Sequence, residues 1–252
     1  MRQLYQEYIL QRIEAYKNSL SRGELLRLGD EAIAELETSA EEQFVLTEVM
    51  ILDSVDRLIA KRLRLWTFNR WRKQWLTLRE AQRRPAHWQI RQHHPVIPML
   101  PRIEPGDHVV VIGTGLAHLT YLLAAHDAAV TYLAADIATV ERVETRMVTE
   151  TLGNDFVAYV AQGGWLPDFP PIDFLIVETA AIPKLAPADE HQLLYELQAR
   201  TPARGVHLLA ALNGGPPLSK FGDLYVHESW EIDPVQWDPG PTQARCWAKR
   251  VC

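Results

Sequence analysis

Apolar residues recur every three or four positions through the first third of the chain. This spacing is typical of amphipathic helices that bury one face. Arg84-Pro85 should end the last such segment, since the residue before a proline avoids helical angles. The sequence therefore predicts four helices, over residues 4–20, 24–37, 39–63 and from about 67 to 83.

The apolar pattern changes after about residue 95, where short β-branched runs alternate with helix-length segments. These runs are His108–Ile112, Ala129–Ala135, Phe156–Ala161, Ile172–Val177 and Gly205–Leu212. The alternation indicates right-handed βαβ crossovers in an α/β, Rossmann-like, doubly wound and mostly parallel sheet. Two later runs, Leu224–Ile232 and Ala244–Val251, predict an antiparallel edge hairpin. We expect this domain to cover residues 98–252 and an all-α N-terminal helical domain to cover residues 1–97.

Composition narrows the class of protein. The chain has 252 residues and is 47% hydrophobic, which is too apolar for a disordered protein. No apolar run approaches the roughly 18 residues needed to span a membrane, and the first residues lack the pattern of a signal peptide. The two cysteines, Cys246 and Cys252, would lie about 20 Å apart in a strand, which is too far for a disulfide. A cytoplasmic protein without a membrane partner is expected.

Charge is strongly segregated along the chain. Residues 24–56 contain ten acids and one base, whereas residues 61–92 contain ten bases, one acid and several aromatic residues. One interpretation is that the two segments pair as neighbouring helices, with the aromatic residues in the core. The other is that residues 61–92 bind an anionic partner, because bases stack on aromatic rings while Arg and Lys neutralise phosphates. The net charge of −6 does not favour a dedicated nucleic-acid binder.

The most informative segment joins the first predicted strand to a glycine-rich turn. Gly113-Thr114-Gly115 follows an apolar strand and precedes a helix, and Asp136 ends the next strand. Glycines permit a tight turn and close approach of a ligand, and a carboxylate at the end of the second strand can accept both hydroxyls of a ribose. The pattern predicts a site for an adenosine-containing cofactor.

This turn resembles motif I of the class I S-adenosylmethionine-dependent methyltransferases, with Ala117 in place of the last glycine. A nicotinamide site would need a small residue where His118 stands, so an oxidoreductase is disfavoured. The resemblance implies S-adenosylmethionine as the cofactor. It also implies that Glu178, at the end of the fourth strand, lies near the reacting carbon or the methionine amine; equally, Glu178 could cap the following turn. The implied cofactor-binding residues are Gly113, Thr114, Gly115, Ala117, Asp136 and Gln162.

The expected reaction is transfer of a methyl group to a small-molecule acceptor, with the helical region closing over the site as a lid. Two alternatives stay open. Residues 112–120 also resemble a turn of nicotianamine synthases, which transfer the aminocarboxypropyl arm of the same cofactor. The other alternative is a non-catalytic interaction module that binds an anionic partner through residues 61–92. The adjacent His93 and His94 predict no metal site, because neighbouring side chains diverge. The chain is expected to be compatible with a homodimer.

Overall fold

The structure is a computed structural model, and its described residues fall into two compact units, Met1–Leu78 and Arg79–Cys252. The described residues are 1–39, 48–92, 94–152, 155–161, 165–181, 187–211, 221, 224–225, 229–233 and 244–250. No helix among them is both long and apolar enough to cross a membrane. The units divide between residues 78 and 79, and the domain boundary expected at 97/98 stays a prediction.

The first unit is helical, as predicted. Its helices are α1 (Arg2–Ser19), α2 (Arg22–Ser39), α3 (Glu48–Arg62) and α4 (Phe68–Gln82), and the last turn of α4 falls in the second unit. A capping box opens α2: the Glu24 carboxylate accepts from the Ser21 backbone N–H at 2.8 Å and from its hydroxyl at 2.6 Å. These two bonds lower the pKa of Glu24.

The core of the first unit is small. Five hydrophobic residues from α1, α2 and α3 are fully buried together: Ile13, Leu28, Ala32, Leu58 and Ile59. At its surface, Lys61 lies 3.6 Å from Glu35, and Arg62 pairs with Glu31. The internal pairing of acidic and basic segments therefore exists, but it involves bases at the very end of α3.

The second unit contains a seven-stranded sheet in the order β3-β2-β1-β4-β5-β7-β6. The first five strands run parallel, and β7 pairs antiparallel with both β5 and β6. This confirms the doubly wound sheet with a reversed edge hairpin. The strands are β1 (His108–Ile112), β2 (Ala129–Ala134), β3 (Phe156–Val160), β4 (Phe174–Glu178), β5 (Val206–Ala211), β6 (Trp230–Asp233) and β7 (Ala244–Arg250).

Helices α5 (Ala117–Ala125), α6 (Ile137–Thr149) and α7 (Pro187–Ala199) connect the strands. Every residue of β1 is buried, as a central parallel strand requires. One core cluster contains Val109, Val111 and most of α5, and another contains Val110, Ile112 and three leucines of α7. The strand is thus enclosed on both faces, which fixes the turn that follows it.

Two strands begin two or more residues later than predicted. The fourth strand begins at Phe174 rather than Ile172, because the Ile172 N–H is bonded to the Arg200 carbonyl and Asp173 accepts from the His108 N–H at 2.9 Å. The sixth begins at Trp230 rather than Leu224. Leu224 and Tyr225 lie in a turn and a bend, where they pack into the core instead of pairing.

Candidate cofactor site

The glycine-rich turn begins where β1 ends. Gly113 has a φ of +132°, a conformation that side chains rarely adopt, and Thr114–Leu116 form one 3-10 turn before α5 starts at Ala117. The Gly113 N–H donates to the Leu133 carbonyl at 2.9 Å, which continues the sheet by one more bond. The change of direction therefore occurs at Gly113 itself, as its position in the motif predicts.

Glu178 is the side chain that faces this turn. Strands β1 and β4 are neighbours, with Ile112 opposite Val177, so Glu178 at the end of β4 comes beside the turn. The Gly115 N–H donates to Glu178 Oε2 at 2.8 Å. The structure thus brings together two residues predicted for the site, the turn glycine and the candidate catalytic acid.

The carboxylate also accounts for both glycines. A methyl group at Gly113 would overlap Glu178 Cβ and lie 2.6 Å from its Oε2, and one at Gly115 would lie 2.8 Å from Oε1. Position 113 is therefore confined to glycine, whereas at position 115 the far end of the Glu178 side chain could move aside. The sequence predicted that the glycines make room for a ligand, whereas here they make room for Glu178.

This arrangement sets the charge that the turn can accept. Free N–H groups at a helix start usually attract phosphate or carboxylate groups. Here the Gly115 N–H already has an anionic partner, and Glu178 is half-buried beside it. A pyrophosphate would be repelled by this carboxylate, whereas an ammonium or sulfonium group would be attracted. The site therefore suits a cationic ligand.

Tyr132 stabilises the turn through a hydrogen bond, a role that the sequence did not suggest. Its hydroxyl donates to the Gly113 carbonyl at 3.2 Å, and the whole side chain is buried. Burial, together with the nearby Tyr121 and Glu178, raises the pKa of Tyr132 well above its ordinary value. Tyr132 consequently stays protonated and able to donate.

Asp136 lies at the start of α6, two residues after β2. Its Oδ1 accepts from the Thr139 N–H at 2.8 Å and its Oδ2 accepts from the Thr139 hydroxyl at 2.9 Å, so it caps this helix. The side chain is exposed. Ribose binding by Asp136 stays a prediction.

The other predicted residues have simpler environments. Thr114 is exposed and Ala117 is half-buried, whereas Gln162 lies outside the described residues, as does His93. His118 is half-buried on the first turn of α5, its ring 6.3 Å from that of His94, and burial lowers its pKa. Within the described part of the chain, no three metal-ligating side chains cluster.

Comparisons with known proteins rest on structure, since no protein-family profile and no curated protein matches the sequence. A TehB-like SAM-dependent methyltransferase from Corynebacterium glutamicum superimposes with a TM-score of 0.52 and 11% identity, over 72% of this chain and 97% of that one. The chain has the class I methyltransferase fold. At this identity the likeness concerns the fold, not the activity.

Two further solved structures are similar to this methyltransferase fold at lower scores. TehB from Haemophilus influenzae gives a TM-score of 0.49 and 14% identity, over 64% of this chain and 62% of that one. A SAM-dependent O-methyltransferase from Thermotoga maritima gives 0.48 and 14%, over 65% of this chain and 66% of that one. Nothing in these comparisons supports the resemblance to nicotianamine synthases.

Proposed function

We propose that the protein is an S-adenosylmethionine-dependent transferase that moves a methyl group to a small-molecule acceptor. One observation carries this proposal: the Glu178 carboxylate occupies the anion-binding position of the glycine turn, at the carboxyl end of the sheet. Ligands of open α/β sheets bind at that end. A carboxylate placed there favours a positively charged adenosyl cofactor over a negatively charged dinucleotide.

The residues present fit such a cofactor. Glu178 would pair with its ammonium or sulfonium charge, the backbone of Gly113–Gly115 would lie against it, and the exposed Asp136 would accept from its ribose. When bound, S-adenosylmethionine supplies a carbon activated by its sulfonium. The resemblance to the family also assigns Gln162 and Ala117 to this site.

The contribution expected from the chain is positioning rather than proton transfer. Displacement at an activated methyl group depends on alignment of the two reacting atoms, which a rigid site provides. Gly113 is held by bonds to Leu133 and Tyr132, and by its contact with Glu178. Glu178 would orient the cation and add favourable charge.

Calorimetry tests this assignment. The wild-type protein should bind S-adenosylmethionine and S-adenosylhomocysteine, and it should bind NAD more weakly than either. Glu178→Gln keeps an oxygen that can accept from Gly115 while removing the charge, so it should weaken S-adenosylmethionine binding about 10- to 100-fold. Glu144→Gln on α6 removes an equal charge from an exposed side chain and should leave binding unchanged.

Wild-type protein that releases no heat with either adenosyl compound would refute the proposed function. If it binds but Glu178→Gln binds equally well, the cofactor class survives and the role of Glu178 does not. Tighter binding of NAD by Glu178→Gln than by wild type would independently support the repulsion argument.

The spent cofactor identifies the transferred group. Incubation with S-adenosylmethionine and a pool of metabolites should yield S-adenosylhomocysteine, the product of methyl transfer. Methylthioadenosine would instead show transfer of the aminocarboxypropyl arm. The proposal has three further parts. Residues 1–97 would act as a lid, which truncation tests. The protein would be cytoplasmic, which cell fractionation tests, and it would form a homodimer, which sedimentation tests.

A further inference from the structure

Basic residues between positions 61 and 83 differ in whether an acid faces them. Lys61 and Arg62 pair with acids of α2, and Arg79 and Arg83 lie close to Asp127. Between them are four exposed cations without an ion pair in the described chain: Arg64, Arg70, Arg72 and Lys73. The sequence has no acid between Asp56 and Glu80, so these charges are not balanced locally.

Three of these cations lie near the start of α4, where positive charge is unfavourable. Helix starts favour acids, because the macrodipole is positive there. Glu24 and Glu48 follow this rule in α2 and α3, whereas α4 has no acid in its first turn and has Arg70, Arg72 and Lys73 near its start. An arrangement that costs local stability is expected where function requires it.

The aromatic side chains of this segment differ in their exposure. The Trp71 ring is 6% exposed and packs with the Tyr5 ring at a centroid distance of 5.4 Å. Trp66 is 37% exposed, and the Arg70 guanidinium lies 5.3 Å from its ring centroid. The exposed residues therefore combine one indole, with Arg70 beside it, and unpaired cations that spread around the open half of α4, since Arg70 and Arg72 are two residues apart and lie on different flanks of the helix.

We propose that Arg64, Trp66, Arg70, Arg72 and Lys73 form a binding surface for single-stranded nucleic acid. The four cations would neutralise phosphates of a strand that crosses the open half of α4, and Trp66 would stack on a base. A membrane surface would need an apolar helix face, but the Phe68 and Trp71 rings of α4 already pack against Tyr5 of α1, and Arg70, Arg72 and Lys73 are exposed. The argument for this surface does not rest on the proposed function.

Salt dependence of binding to a fluorescein-labelled 20-nucleotide oligouridylate tests the proposal by anisotropy. With four phosphate contacts, wild-type affinity should fall about 50-fold between 50 and 200 mM salt. Neutralising three cations, in Arg70→Gln/Arg72→Gln/Lys73→Gln, should reduce that fall to about threefold. The triple variant should keep or raise the melting temperature, because it relieves the unfavourable charge at the start of α4.

The matched control removes three exposed cations elsewhere: Arg22→Gln/Arg102→Gln/Arg204→Gln. It should keep the wild-type salt dependence. Trp66→Ala should weaken binding of the single strand about 10-fold and leave binding of a duplex of equal length unchanged. An oligothymidylate of equal length shows whether the surface distinguishes RNA from DNA.

Absence of binding at 50 mM salt would overturn the proposal. Equal loss in the control and test triples would also overturn it, since it would then reflect overall charge. Binding of the wild type to vesicles containing phosphatidylserine, without binding of the oligonucleotide, would assign the surface to a membrane and refute the nucleic-acid proposal.

Discussion

The two units use glycine in opposite ways. Gly113 has a φ of +132° and lies against the Glu178 side chain, whereas Gly29 lies inside α2 with nothing within 4 Å of the position of a Cβ atom. The first position is determined by a neighbouring strand and the second by no contact at all. Of these two glycines, only Gly113 is restrained by its neighbours.

Alanine at position 113 should have the largest effect on stability and on cofactor binding. The substitution adds backbone strain and forces Glu178 away, so we expect a loss of about 3 kcal/mol of unfolding free energy and at least 100-fold weaker cofactor binding. Urea denaturation and calorimetry measure the two effects. A Gly113→Ala protein with wild-type stability would show that Glu178 does not restrain the turn.

Removal of the Tyr132 hydroxyl should have an intermediate effect. Tyr132→Phe loses the bond to the Gly113 carbonyl, which should cost about 1 kcal/mol of stability and about fivefold in cofactor affinity. Tyr121→Phe is the control, since this buried tyrosine forms no hydrogen bond in the described chain. Equal binding by the two variants at neutral pH would remove Tyr132 from the site.

The raised pKa of Tyr132 adds a pH dependence. Unfolded tyrosine loses its proton near pH 10, while the folded side chain keeps it, so above pH 10 the unfolded state holds fewer protons. Stability should be fully present below pH 10 and fall above it by up to about 1.4 kcal/mol per pH unit. Chemical denaturation of Tyr132→Phe between pH 9 and 11.5 should show a correspondingly shallower fall.

Alanine at position 29 should have the smallest effect and the opposite sign. A glycine inside a helix costs stability without a structural need, so Gly29→Ala should stabilise the protein by about 0.5–1 kcal/mol. Differential scanning calorimetry would measure this as a small rise in melting temperature. A fall would mean that the first unit also depends on a glycine conformation.

The sequence predicted the sheet well because its signals are local. The β1 segment is a continuous apolar run, and the turn after it contains glycine where the backbone needs a positive φ. The end of β4 was predicted correctly to within a residue, and its start was displaced by the side chain of Asp173. A strand that is buried on both faces can be predicted from its own sequence, without knowledge of the neighbouring strands.

The contacts of the site could not be predicted in the same way. The bond between Gly115 and Glu178 depends on which strands are adjacent and on their register. The bond from Tyr132 likewise depends on β2 lying beside β1. The helix cap formed by Asp136 is predictable from the sequence, because Thr139 follows it three residues later at a helix start. The sequence analysis predicts only ribose binding for this carboxylate.

The close approach of Glu178 affects positions 113 and 115 differently. A side chain at 115 would need only the far end of Glu178 to move, whereas one at 113 would still meet the Cβ atom of any residue at 178 other than glycine, at a backbone φ that side chains rarely adopt. A shorter residue at 178 therefore frees position 115 and leaves position 113 confined to glycine. Lineages that descend from this chain would change positions 178 and 115 and keep Gly113.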